Sequence, residues 1–211
     1  MRVLVFGDSI TWGFWDTEGG WATRLRNYYV ARELKEKSHR DPSVFNLGIG
    51  GDTAKGVLRR FKPETDARKW PGEDFVFVFA IGTNDSATEN GKPRFSEKEY
   101  RSNLEKLIDE AKKYSDKIVF VGLTPCEEEL TTPIPWRKSI SYTNKRLLLF
   151  EKVIKDECAK NNMPQVVLFE TFQDELSKNR KLLADGLHPH NEGHKLIFQL
   201  VRPVIDEVIG K

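Results

Sequence analysis

Four short clusters in this 211-residue chain hold residue types that can do chemistry together. Asp185-Gly186-Leu187-His188-Pro189 puts a carboxylate and an imidazole three residues apart. In a tight loop that spacing lets the Asp hold one ring nitrogen and leaves the other free to take a proton. Gly7-Asp8-Ser9 supplies a hydroxyl, a poor nucleophile until an oriented base removes its proton. Gly82-Thr83-Asn84-Asp85 offers a side-chain N–H₂ as a neutral donor to a developing oxyanion. Within Asn46-Leu47-Gly48-Ile49-Gly50-Gly51-Asp52-Thr53, Gly51 has no Cβ to keep its backbone N–H away from a ligand. The chemistry these groups could perform is attack of Ser9 on a carbonyl, with His188 as base and Asp185 as its orienting carboxylate. The Ser9 and Gly51 N–H groups and the Asn84 amide would receive the oxyanion.

Each cluster also has a plainer reading. Gly-Asp-Ser makes ordinary turns and helix caps, and Asn-Asp at a strand end makes an Asx turn. The glycine-rich segment could cradle a phosphate, but its spacing matches neither common nucleotide fingerprint. His188, His190 and His194 have a spacing that could suggest a metal. Against this, Pro189 bends the chain between the first two and no acidic or thiol cluster accompanies them. No metal and no cofactor are therefore expected, and His190 and His194 read as surface or capping residues at the start of the last helix.

The clusters gain weight from the elements that must position them. Five short apolar, β-rich runs occur at Val3–Phe6, Val44–Leu47, Phe75–Ile81, Lys117–Leu123 and Gln165–Phe169. Near-continuous apolarity of this kind suits parallel strands covered on both faces. Between them, Trp21–Glu36, Ala54–Phe61, Ser96–Tyr114 and Ser139–Asn161 carry apolar residues at helical spacing, and a last helix spans about Glu192 to Ile209. Ser96-Glu-Lys-Glu reads as a capping box, and Pro164 ends the helix before it. Regular alternation implies right-handed crossovers and a three-layer α/β/α sandwich. The clusters follow the first, second and third strands and the segment after the fifth, so they converge on one edge of the sheet. Residues 61–74 and 124–138 read as irregular, the second as a candidate pocket wall.

Composition sets the limits. A chain of this length forms one domain, residues 1–211, without needing to split. Lys and Arg total 34 against 32 Asp and Glu, a net charge of +2 that points to neither nucleic acid nor an anionic membrane as partner. The longest apolar run, Phe75–Ile81, is too short to span a bilayer. Cys126 and Cys158 suggest no disulfide framework. The first strand begins directly after Arg2, which leaves no room for a signal peptide, so a cytoplasmic location is expected. Nothing here bears on oligomeric state.

Taken together, Gly7-Asp8-Ser9, Gly51 within Gly-Gly-Asp-Thr, Gly82-Thr83-Asn84-Asp85 and Asp185-x-x-His188-Pro189 resemble, in order, the four signature blocks of the SGNH hydrolases, or GDSL esterases and lipases. The resemblance implies a flavodoxin-like sheet of five parallel strands ordered 2-1-3-4-5. It also implies Ser9, His188 and Asp185 as catalytic triad, with Ser9, Gly51 and Asn84 as oxyanion hole and Asp8 and Asp85 supporting their loops. The chain lacks Gly-x-Ser-x-Gly and so is not read as an ordinary α/β-hydrolase. The family acts on simple esters, acetylated carbohydrates, lysophospholipids and thioesters. Trp12, Phe14 and Trp15 after the serine, and Pro125, Ile134, Pro135 and Trp136 after the fourth strand, could form an apolar wall or simply pack the sheet edge. The expected substrate is a small-molecule, short-acyl ester of a small alcohol, aryl group or sugar, with Asp8, Trp12 and Trp136 as candidate contacts. The competing reading is a non-catalytic flavodoxin-like module that binds a carbohydrate or nucleotide.

Overall fold

The computed structural model describes residues 1–37 and 41–210. The first part of the chain forms β1 (Arg2–Gly7), a one-turn α1 (Ser9–Trp12), α2 (Gly20–Glu36), β2 (Ser43–Gly48), α3 (Ala54–Asp66) and β3 (Phe75–Ala80). Next come a short α4 (Thr83–Ser86), the two-residue strands β4 (Thr88–Glu89) and β5 (Lys92–Pro93), α5 (Glu97–Lys112), β6 (Ile118–Val121) and a short α6 (Glu128–Thr131). The chain then adds β7 (Ile140–Ser141), α7 (Asn144–Asn161), β8 (Gln165–Val166), α8 (Phe169–Ser177) and α9 (Asn191–Val208).

The long strands follow from their side chains. In β3, Phe75-Val76-Phe77-Val78-Phe79 is apolar throughout, yet the two-residue strand period sends the aromatics to one face and the valines to the other. The same division holds in β1 and β6. Phe6, Phe77, Phe79 and Phe120 pack against α3, α5 and α7, whereas Val3, Val5, Val76, Val78, Val119 and Val121 pack against α2, α8 and α9. The sheet is parallel throughout, in the order β2-β1-β3-β6-β8. Counted without β4, β5 and β7, which form a separate small sheet, this is the expected 2-1-3-4-5 order of an α/β/α sandwich.

Several boundaries differ from expectation. The fifth central strand stops at Val166 because β6 offers it only two residue pairs. The expected Leu168 and Phe169 instead open α8, which buries Phe169 and Phe172 at helical spacing. Helix α3 continues past Phe61 through Pro63 and buries Thr65, so part of the segment read as irregular is helical. Residues 139–143 precede their helix rather than belonging to it. Ile140–Ser141 pairs with Thr88–Glu89, which also pairs with Lys92–Pro93, giving a small antiparallel sheet, and Thr143 caps α7. The Ser96 capping box is present, with Glu99 returning a bond to the Ser96 backbone. Among the described residues no helix is long and apolar enough to cross a membrane.

Candidate active site

Ser9 leaves the end of β1 at the start of α1, with Asp8 as N-cap accepting the Ile10 N–H at 3.0 Å. The turn requires Gly7, since a Cβ there would lie 2.1 Å from Thr11 Oγ1 and 2.5 Å from the Ala80 carbonyl oxygen. The Ser9 hydroxyl lies 2.9 Å from His188 Nε2, and His188 Nδ1 lies 2.8 Å from Asp185 Oδ2. A ring nitrogen facing an ionised carboxylate carries the proton, which leaves Nε2 to accept from Ser9. Asp185 is itself fixed: Oδ1 accepts the Leu187 and His188 N–H groups at 3.0 and 2.8 Å, and Oδ2 also accepts the Trp15 indole N–H at 2.8 Å. Burial pushes its pKa up, but the bonds from the His188 ring and backbone outweigh this and hold it at about 2. The carboxylate is therefore charged at neutral pH.

The other expected donor residues, Gly51 and Asn84, line the same cleft as Ser9. Gly51 sits at φ 76° in the loop after β2, a conformation that favours glycine. That loop is braced by an Asp52–Arg60 ion pair at 2.8 Å, and Arg60 also donates to the Gly7 carbonyl at 3.2 Å. Asn84, 6% exposed, accepts the Tyr142 hydroxyl on Oδ1 at 2.9 Å, and its Nδ2 lies 3.4 Å from Asp8 Oδ2. Asp85 turns inward, and both its oxygens accept the Ala54 N–H at 3.1 Å, at the first turn of α3. Burial raises the pKa of Asp8 to about 6 and that of Asp85 to about 7.

Ser9, Gly51, Asn84, Asp185 and His188 all line one cleft of about 920 Å³. Trp12, Phe14 and Trp15 form one wall, and Ile134, Trp136, Ile140 and Tyr142 the other. The Phe14 and Trp136 rings pack 5.1 and 5.9 Å from the His188 ring, and Trp12 and Trp136 are each about half exposed. Asp8, expected to touch substrate, does not line the cleft. It lies beneath Ser9 at 2% exposure, occupied as a helix cap. His194 is not a surface residue either: it is fully buried, with Nε2 3.0 Å from the Phe14 carbonyl and Nδ1 3.4 Å from the Trp21 N–H. His190 caps α9. Among the described residues no three His, Cys, Asp or Glu side chains are grouped to hold a metal. Tyr142, Arg94 and Arg137 also line the cleft, although no sequence motif marks them.

Residues 5–196 match the model of the GDSL-like Lipase/Acylhydrolase family. The chain is 33% identical over 132 residues to the uncharacterized lipoprotein YqeF of Bacillus subtilis, an alignment that covers 60% of this chain and about half (49%) of that protein. It is 24% identical over 217 residues to the isoamyl acetate-hydrolyzing esterase of Saccharomyces cerevisiae, covering 97% of this chain and 86% of that one. Among solved structures, the lipase/acylhydrolase from Enterococcus faecalis superposes with a TM-score of 0.76 at 24% identity, over 98% of this chain and 96% of that one.

Proposed function

The chain belongs to the GDSL-like lipase/acylhydrolase family, a family of ester-bond hydrolases, and from that premise we propose that it is a serine esterase acting through Ser9, His188 and Asp185. The observation that carries the reading is the continuous relay from Ser9 Oγ through both His188 nitrogens to Asp185, opening on an apolar-walled cleft.

In this reading Ser9 Oγ attacks the ester carbonyl carbon while His188 Nε2 takes its proton. The negative charge that moves onto the carbonyl oxygen is received by the Ser9 and Gly51 N–H groups and Asn84 Nδ2. Ser9 and Asn84 sit in the first turns of α1 and α4 and Gly51 in a loop braced by the Asp52–Arg60 pair, so little reorganisation is needed as charge develops. His188 then protonates the departing alcohol oxygen and the acyl group stays on Ser9. Water, deprotonated by the same nitrogen, attacks the acyl-enzyme, and the acid leaves as Ser9 recovers its proton. Asp185 stabilises the imidazolium formed in each half and keeps its charge throughout.

The substrate is proposed to be a short-acyl ester. The yeast relative's name specifies an acetate, and the cleft offers an apolar wall of Trp12, Phe14, Ile134 and Trp136 beside Ser9. Hydrolysis of p-nitrophenyl acetate, butyrate and octanoate by wild type and Ser9→Ala, with and without chelator, tests this. The expected result is activity that falls with acyl length, survives chelation and drops at least a thousandfold in Ser9→Ala. Equal rates in the two proteins would remove Ser9 from the reaction and overturn the reading.

A further inference from the structure

The small antiparallel sheet has no role in building the parallel one, yet it forms a side of the cleft. It begins at β4, returns through β5 and is closed by β7, with the Asn90 N–H bonded to the Ser139 carbonyl at 2.7 Å. Arg94 follows β5 directly and is anchored by its own N–H to the Ala87 carbonyl at 3.0 Å. Arg137 precedes β7 in a turn closed by the Ile140 N–H on its carbonyl at 2.9 Å. The sheet thus holds two guanidinium groups on the same cleft as Ser9.

Their charges are not balanced there. Glu89, on β4, bonds Arg137 at 2.6 Å through Oε1. Its other oxygen is 3.9 Å from Arg94 Nε, too far for a hydrogen bond. Among the described residues the Arg94 side chain donates no hydrogen bond, although it is only 25% exposed. Among the described residues none of its nitrogens is a buried atom left without a partner, so the unused N–H groups stay open to water and to an acceptor that enters the cleft. Among the described residues the only acidic one lining the cleft, Asp185, is already engaged by Trp15 and His188. Two arginines therefore share one carboxylate, and one planar fork is left facing the cleft, shaped for the paired oxygens of a carboxylate or phosphate. The Arg94 side lies next to Tyr142, which burial raises to about 12 against the pull of Arg94 and Arg137. Tyr142 in turn bonds Asn84.

We propose that Arg94, supported by Arg137, selects esters that carry an anionic group, a carboxylate or phosphate, on the part of the substrate that reaches past Asn84 and Tyr142. The inference rests on the esterase reading of the cleft and names the substrate class within it.

Two matched pairs test it and separate the possible sources of the anion. p-Nitrophenyl butyrate against p-nitrophenyl hemisuccinate puts the charge on the acyl side. 2-Hydroxyethyl acetate against 2-acetoxyethyl phosphate puts it on the alcohol side. Wild type should show at least a tenfold higher kcat/KM for the anionic member of one pair, and the pair that responds tells which side faces Arg94. That ratio should fall with rising ionic strength and collapse toward one in Arg94→Gln, with a smaller loss in the more exposed Arg137→Gln. Arg94→Lys should restore part of it, since charge is kept but the fork is lost. No anionic preference in either pair, or a preference that Arg94→Gln and Arg137→Gln both leave intact, overturns the proposal. If the neutral members are not hydrolysed in a Ser9-dependent way, the esterase reading itself has failed, which is a separate result.

Discussion

Asn84 can serve an oxyanion only if its amide turns nitrogen, not oxygen, toward the cleft, and two neighbours decide this. The Asp8 carboxylate below, 3.4 Å from Nδ2, accepts from an N–H₂ but would repel an amide oxygen, and the Tyr142 O–H donates to the Oδ1 that this leaves on its side. Removing the amide and removing its orienter should therefore have different costs. Asn84→Ala is expected to lower kcat on p-nitrophenyl acetate by about a hundredfold or more. Tyr142→Phe, which loses one neutral hydrogen bond worth about 1 kcal/mol, should lower kcat roughly fivefold to tenfold and leave KM nearly unchanged. A folded Tyr142→Phe protein with wild-type kcat would show that Asn84 is oriented without it. Ser9, Asn84, Asp185 and His188 were legible in the sequence because each lies in a short block at a strand end or a compact loop. Tyr142 was not, because its bond to Asn84 spans 58 positions, and Arg94 was not, because no local pattern tells that the chain after β5 lines the cleft. Asp8 was legible as a motif but misplaced as a substrate contact, since its type does not tell a cap from a ligand.

Among the elements, the strand and helix pattern could be read because the apolar runs are long, and because alternating Phe and Val in β3 already divides the two faces of the sheet. The small sheet could not, because a two-residue strand has no periodicity to detect. The link between α7 and the end of β6 was equally hidden. Glu151 reaches from α7 to accept the Leu123 N–H at 2.7 Å and the Gln165 amide at 2.7 Å. It fits only because Gly122 has no side chain, as a Cβ there would lie 2.5 Å from the carboxylate. Burial raises its pKa from 4.5 to about 7. A carboxyl raised in this way contributes stability below its unfolded pKa and loses it as pH rises through the folded value. Wild type should therefore gain stability relative to Glu151→Gln as pH falls from 8 to 5, by on the order of 2 kcal/mol, read from urea unfolding midpoints at each pH. A difference that does not change with pH would mean that Glu151 titrates normally in the folded protein.

At the scale of the whole molecule, the proposed relay joins the two ends of the chain: Ser9 and His188 are 179 positions apart, and neither end can form the site alone. A second histidine ties those ends together. His194, on α9, spans the Phe14 carbonyl and the Trp21 N–H, and the Phe14 ring packs on His188. With one nitrogen donating and the other accepting, the ring is neutral, and burial lowers its pKa below the ordinary 6.5. The sign is opposite to that of Glu151: below about pH 6.5 the unfolded chain binds a proton that the folded protein refuses, so the stability His194 provides is lost as pH falls through that window. His194→Gln, which gives up the paired geometry but cannot titrate, should be less stable than wild type at pH 8 by roughly 1–3 kcal/mol. The margin should narrow as pH drops to 5, moving against the trend expected for Glu151→Gln. Thermal unfolding of both variants beside wild type across that range separates the two terms. A His194 margin that stays constant or widens would mean that the imidazole takes up its proton inside the folded protein, and that the tie between the chain ends survives as a charged one.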